Sequence, residues 1–255
     1  LAQNILPLCS GAKAVAHIHN MTAKGEYTIH HSLHVAILAG LMGKWLKMPQ
    51  KDQLRLITAG ALILIGNLRI EQAMLDKEGV LTPDERKIMQ EHPKFGHELI
   101  MAGGLGEDKE IAEAVLQYHE RGDGSGYPRG LVKEEIGKFA RVLAIMDMYD
   151  AMASDRSYAK KRSPFEVFNI LSDDIMNGQL DTEFGFRFIR RICHSLNGNW
   201  VKLSNGEAGK IIYIDESRLA ALPVVQTMDG EFMDLNLRTD IKAEYLLTSR
   251  EIEEE

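Results

Sequence analysis

The sequence predicts a mainly α-helical fold followed by a small C-terminal β unit. Three observations carry this. Apolar residues recur at helical spacing as far as Leu196, in runs that open on capping residues or proline. After Asn197-Gly198 the pattern changes to alternation, with Trp200, Val201 and Leu203 among polar neighbours. Asn205-Gly206 and Asp229-Gly230 then supply hairpin turns. The expected boundary separates an all-α domain, 1–197, from a small β domain, 198–255, which is a five-stranded β-barrel or sheet with an acidic tail.

In chain order, a first helix is expected over Gly11 to Met21, with a turn at Thr22 to Glu26. Tyr27 opens a long helix to about Leu46, whose stripe of His31, Val35, Leu38, Met42 and Trp45 faces inward. His30 and His34, four apart, share a face and are read as solvated or cap-like; that spacing also suits clipping a metal. Pro49 starts the next helix, Lys51 to Ile65, with Gly66 as a left-handed stop. Thr82-Pro83-Asp84-Glu85 is a capping box, and its helix turns Ile88 and Met89 inward. Pro93 restricts His92 and aims it from a helix end, and a further helix follows to Met101. Asp108 is expected to cap the helix that carries Tyr118 and His119. A loop of four glycines and one proline comes next, then an apolar helix containing Asp147 and Asp150. Ser163-Pro164-Phe165-Glu166 reads as a second capping box, and Asp181 as the cap of the last long helix.

Composition narrows the function classes. The chain has 255 residues, 45% hydrophobic and 26% charged, which suits a globular protein with a sizeable core. A net charge of -7 argues against a DNA surface or an anionic-membrane binder. The longest apolar run is far below the roughly 18 residues of a membrane span. Cys9 and Cys193 make no disulfide framework, so a cytoplasmic location is expected. Leu1 in place of a methionine points to a fragment with a sensor domain upstream.

Several stretches carry chemistry. These are Tyr27-Thr28-Ile29-His30-His31-Ser32, Glu91-His92-Pro93-Lys94-Phe95-Gly96, the thirteen residues Tyr118 to Gly130, and Asp147-Met148-Tyr149-Asp150-Ala151. Together they resemble HD-GYP domains over about residues 25–195. The resemblance implies an HD-type helical bundle and a place in bacterial cyclic di-GMP signalling. Members of that family hydrolyse cyclic di-GMP with two or three iron or manganese ions. On this match His31, His92, His119 and Asp147 fall at metal-ligand places, and Arg156, with Lys160 close by, at a place that contacts the dinucleotide phosphates. Gly126, Tyr127 and Pro128 fall in the loop tied to partner signalling domains.

The departures from the family pattern are coherent. Where the family has His-Asp-x-Gly-Lys this chain has Ile63, Leu64, Gly66 and Asn67, and Tyr118 replaces the first of two paired histidines. By that correspondence one metal keeps only His31 and Asp147 and its neighbour only His92 and His119, and the bridging carboxylate is gone at Leu64. Hydrocarbon at 63 and 64 also disfavours a bound hydroxide. The expectation is therefore a domain without hydrolytic activity that binds partner proteins, of the diguanylate-cyclase type among others, or intact cyclic di-GMP. The alternative is an active metal-dependent phosphodiesterase with an atypical site. If an ion is held, it is a single iron, manganese or zinc at His31, His92, His119 and Asp147. A homodimer is a further expectation.

Overall fold

A computed structural model describes residues 1–7, 9, 27–77, 79–104, 108–154, 162–215, 217–218, 221–247 and 251. The expected helix over 11–21 and the turn after it lie outside the described residues, as do Arg156 and Lys160. After a short α1 (Ala2–Ile5) comes α2 (Tyr27–Trp45), the central element. Val35, Ala36, Leu38, Ala39 and Met42 on several sides of it are buried, so it is enclosed rather than laid on a surface. Against it pack α3 (Gln50–Ala61) and α8 (Lys138–Ala153), the latter carrying Val142, Leu143, Ile145, Met146 and Tyr149 into the core. The rest of the bundle is α4 (Gln72–Leu75), α5 (Pro83–Met89), α6 (His92–Ala102), α7 (Lys109–Gln117), α9 (Pro164–Met176) and α10 (Thr182–Leu196).

Two end signals act as the sequence suggests. At α5 the Glu85 amide donates to Thr82 Oγ1 and the Thr82 amide to Glu85 Oε2, a complete capping box. At α10 the Phe184 amide donates to the Asp181 carboxylate at 3.0 Å.

Four expectations need correction. Gly66 is not a left-handed cap: α3 ends at Ala61, and Gly66 lies inside a 3-10 turn, Ile65–Arg69. It is glycine because α6 crosses there, and a Cβ would run into the backbone of His92 and Gly96. Ile88 is exposed rather than inward, since α5 is a short surface helix with no buried residue. Ser163 sits at the N-cap of α9 but makes no side-chain cap bond, and its hydroxyl is buried without a partner. Asp108 holds the N-cap position of α7, yet its carboxylate takes two bonds from Arg55 instead of capping.

The C-terminal unit is an open sheet and not a barrel. Strands β1 (Trp200–Leu203), β2 (Ala208–Tyr213), β3 (Val224–Thr227), β4 (Phe232–Asp234) and β5 (Ala243–Leu246) lie in the order β4-β3-β2-β1-β5, all antiparallel. β5 pairs with β1 and does not reach β4, so both edges stay open. Val201, Leu203, Ile211 and Val225 project from one face into the same apolar cluster that fills the helical bundle.

Candidate functional site

Two polar layers meet at the middle of the bundle. The deeper one joins α2 to α8. His31 and His34 stand three apart on α2, and Asp147 and Asp150 stand three apart on α8, so each pair lies on one helix face. His31 Nε2 is 2.9 Å from Asp147 Oδ1, and His31 Nδ1 is 2.8 Å from Asp150 Oδ2. His34 Nδ1 is 2.9 Å from Asp150 Oδ1, which also accepts from the Ser154 hydroxyl at 2.9 Å. All four of His31, His34, Asp147 and Asp150 are buried.

A carboxylate only accepts, so a histidine facing carboxylates at both nitrogens carries a proton on each. Burial by itself pushes the His31 pKa down. The bonds to Asp147 and Asp150, together with their charges, outweigh it and raise it to about 9. Both aspartates stay ionised: burial pushes them up, but the histidine bonds and charges hold them below the usual carboxylate value.

The outer layer is an aromatic stack on the glycine-rich loop. Tyr118 ends α7, and its ring lies 4.0 Å from that of His119; His119 in turn stacks on Tyr127 at 4.6 Å. His92, the first residue of α6, meets His119 edge-on at 5.1 Å. His92 therefore lies within the first turn of its helix and is not displaced from it by Pro93. Burial lowers the pKa of His92 and takes His119 down to about 3, so both rings are neutral. His92 Nδ1 donates to the Met89 carbonyl at 2.7 Å, leaving Nε2 to accept from the Tyr118 hydroxyl at 2.5 Å. His119 Nδ1 is 3.9 Å from Asp147 Oδ2, where the two layers touch.

The loop keeps its shape through its own bonds. Glu120 is buried, and its carboxylate accepts from the amides of Arg129 at 2.7 Å and Leu131 at 2.9 Å. The Tyr127 amide donates to the His119 carbonyl at 3.2 Å, and the Tyr127-Pro128 peptide is cis. Gly126 lies against the backbone of His119, Glu120 and Arg121, where a Cβ would collide. Gly126, Tyr127 and Pro128 are half-buried. Glu120→Gln should loosen this loop, because each bond to a buried carboxylate is worth about 1.5–3 kcal/mol. Amide hydrogen exchange at Arg129 and Leu131 is expected to quicken at least tenfold, while exchange in α8 stays unchanged.

The structure thus brings His31, His92, His119 and Asp147 into one cluster, but as partners of one another and of Tyr118. The sequence reading missed Asp150 and misplaced His34 as solvated or cap-like, whereas His34 is buried on Asp150. The matching three-residue spacing on α2 and α8 was the signal available. At the places of the absent His-Asp pair, Ile63 is fully buried and belongs to the core, and Leu64 packs against it.

These residues do not fit the multinuclear metal group that the resemblance implies. His31 spends both ring nitrogens on Asp147 and Asp150, and the Nε2 of His92 is taken by Tyr118. Among the described residues no group of three or more His, Cys, Asp or Glu side chains is arranged to hold a metal. Nor, among the described residues, is any helix long and apolar enough to cross a membrane.

Comparison with known proteins agrees with the bundle. The cyclic di-GMP phosphodiesterase PA4108 of Pseudomonas aeruginosa is 30% identical over 203 residues, covering 78% of this chain and 47% of that protein. The 3'3'-cGAMP-specific phosphodiesterase 3 of Vibrio cholerae is 30% identical over 181 residues, covering 71% and 38%. The cyclic di-GMP phosphodiesterase response regulator RpfG of Xanthomonas campestris is 38% identical over 122 residues, covering 48% and 32%. The chain spans less than half the length of each of these relatives. Among solved structures, Bd1817, an HDG"Y"P protein from Bdellovibrio bacteriovorus, superposes with a TM-score of 0.58 at 16% identity, covering 73% of this chain and 59% of that one. That likeness is one of fold. Residues 12–183 match the HD domain family, and with two thirds of its length inside that match the chain belongs to the HD domain family.

Proposed function

We propose that this chain is a catalytically degenerate HD-GYP domain of bacterial cyclic di-GMP signalling, acting by binding a partner protein or the intact dinucleotide. The observation that carries the reading is His31 clamped between Asp147 and Asp150. An ion pair of this kind fills the space and uses the donors that metal chemistry requires. Tyr118 on His92 and aliphatic Ile63 and Leu64 act in the same direction. The names of the relatives support the ligand class, and the internally bonded loop around Tyr127 supports a contact surface that persists without chemistry. Arg156 and Lys160 are the proposed phosphate contacts, signalling domains of the diguanylate-cyclase type the proposed partners, and a cytoplasmic location and a homodimer belong to the same reading.

The test is metal content and turnover on one preparation. Protein purified anaerobically with iron(II) and manganese(II) is expected to hold fewer than two ions per chain and to leave cyclic di-GMP intact. Calorimetric binding of the dinucleotide without turnover supports the ligand form, and no binding leaves the partner form. Two or more tightly held ions, with hydrolysis abolished by His119→Ala or Asp147→Ala, would overturn the proposal in favour of an active phosphodiesterase. The convergence of His31, His92, His119 and Asp147 is the observation that favours that second reading, with a single iron, manganese or zinc as its minimal form.

A further inference from the structure

Two ring nitrogens near the start of α2 remain unexplained. His34 Nε2 and His30 Nδ1 are sealed from solvent and have no hydrogen-bond partner among the described residues. A buried nitrogen left without a partner is destabilising, so each calls for a reason. The two residues are one helical turn apart on the same face. Their ring centres are 6.3 Å apart with the planes inclined at 53°.

We propose that His30 and His34 form a two-imidazole site for a divalent transition ion of the zinc, nickel or copper class. Three features support it. His34 is 2% exposed and gives its Nδ1 to Asp150 at 2.9 Å, which leaves Nε2 as the nitrogen available to an ion. A carboxylate behind a histidine is the arrangement that orients and strengthens an imidazole ligand. With an ion about 2.0–2.1 Å from each nitrogen the ring centres stand roughly 5 Å apart for a tetrahedral ion and roughly 6.4 Å apart for a trans pair, so a small rotation of one ring from the observed 6.3 Å closes a tetrahedral site. His30 is half-buried beside exposed Ile29 in the first turn of α2, so the site lies close to the surface. Neither residue is among His31, His92, His119 and Asp147, and unlike His31 and His92 each keeps a nitrogen free to coordinate. Imidazole ligands favour these borderline ions over magnesium or calcium, and water completes the shell.

The experiment uses the full chain, stripped with a chelator and titrated with zinc by calorimetry. One ion per chain is expected, with affinity reduced roughly tenfold or more by His30→Ala and by His34→Ala, and unchanged by His119→Ala. Should a variant fold poorly by circular dichroism, the wild type supplies the second readout. In nitrogen-15 histidine spectra zinc should shift His30 Nδ1 and His34 Nε2 ahead of the other rings. No zinc uptake, uptake that survives His30→Ala, or uptake that disappears with His119→Ala would each overturn the proposal. The first of these outcomes would leave the proposed signalling role untouched.

Discussion

Asp150→Ala is expected to destabilise the fold by about 3–5 kcal/mol, the cost of leaving a buried charge without its counter-charge. Asp150 has no exposed surface and accepts from His31, His34 and Ser154. Removing it strands a protonated His31 in the core beside Asp147 alone. Urea unfolding should show a lower midpoint at unchanged slope. Asp150→Asn is the sharper variant, because it keeps the volume while removing the charge and replacing one of the two acceptor oxygens with a donor. A loss below about 1 kcal/mol in Asp150→Ala would mean that His31 is neutral in the native state.

The second large effect is a stability maximum near pH 6.5 that falls away on the alkaline side. The folded protein keeps the His31 proton up to about pH 9, whereas an unfolded chain releases it near 6.5. Between those values the native state binds more protons, so stability falls as pH rises. The contribution is complete below pH 6.5 and gone above 9, on the order of 3 kcal/mol in all. His119 works in the opposite direction. Its folded value of about 3 means that stability is lost as pH falls from 6.5 towards 3. Thermal midpoints measured across pH 4–10 should trace both limbs. In Asp150→Asn the alkaline limb should move to lower pH, because one of the two carboxylates that hold the proton is gone.

Local signals were the legible ones. The capping box at Thr82, the Asp181 cap, the Asn205-Gly206 turn and the inward stripe of α2 all act between residues a few positions apart. Gly66 was misread for the same reason. A glycine after an apolar run resembles a helix stop, whereas its actual constraint comes from α6, some thirty residues away. The barrel alternative depended on whether β4 and β5 meet, and strand patterns do not encode that closure. At the site, His31 with Asp147 followed from the motif, but Asp150 and His34 did not. Their matching three-residue spacing was the one sign in the sequence, and it names a partner only once the two helices are set face to face.

The alignment of α2 on α8 has a mechanical side. Apolar side chains tolerate a small slide, because one methyl group replaces another at nearly the same depth. The four-residue clasp of His31, His34, Asp147 and Asp150 does not. Moving one helix by a single residue, about 1.5 Å along its axis, pulls both histidines off their oxygens at once. The clasp therefore works as an index pin between two greased rods, and only one setting of the rods lets it seat.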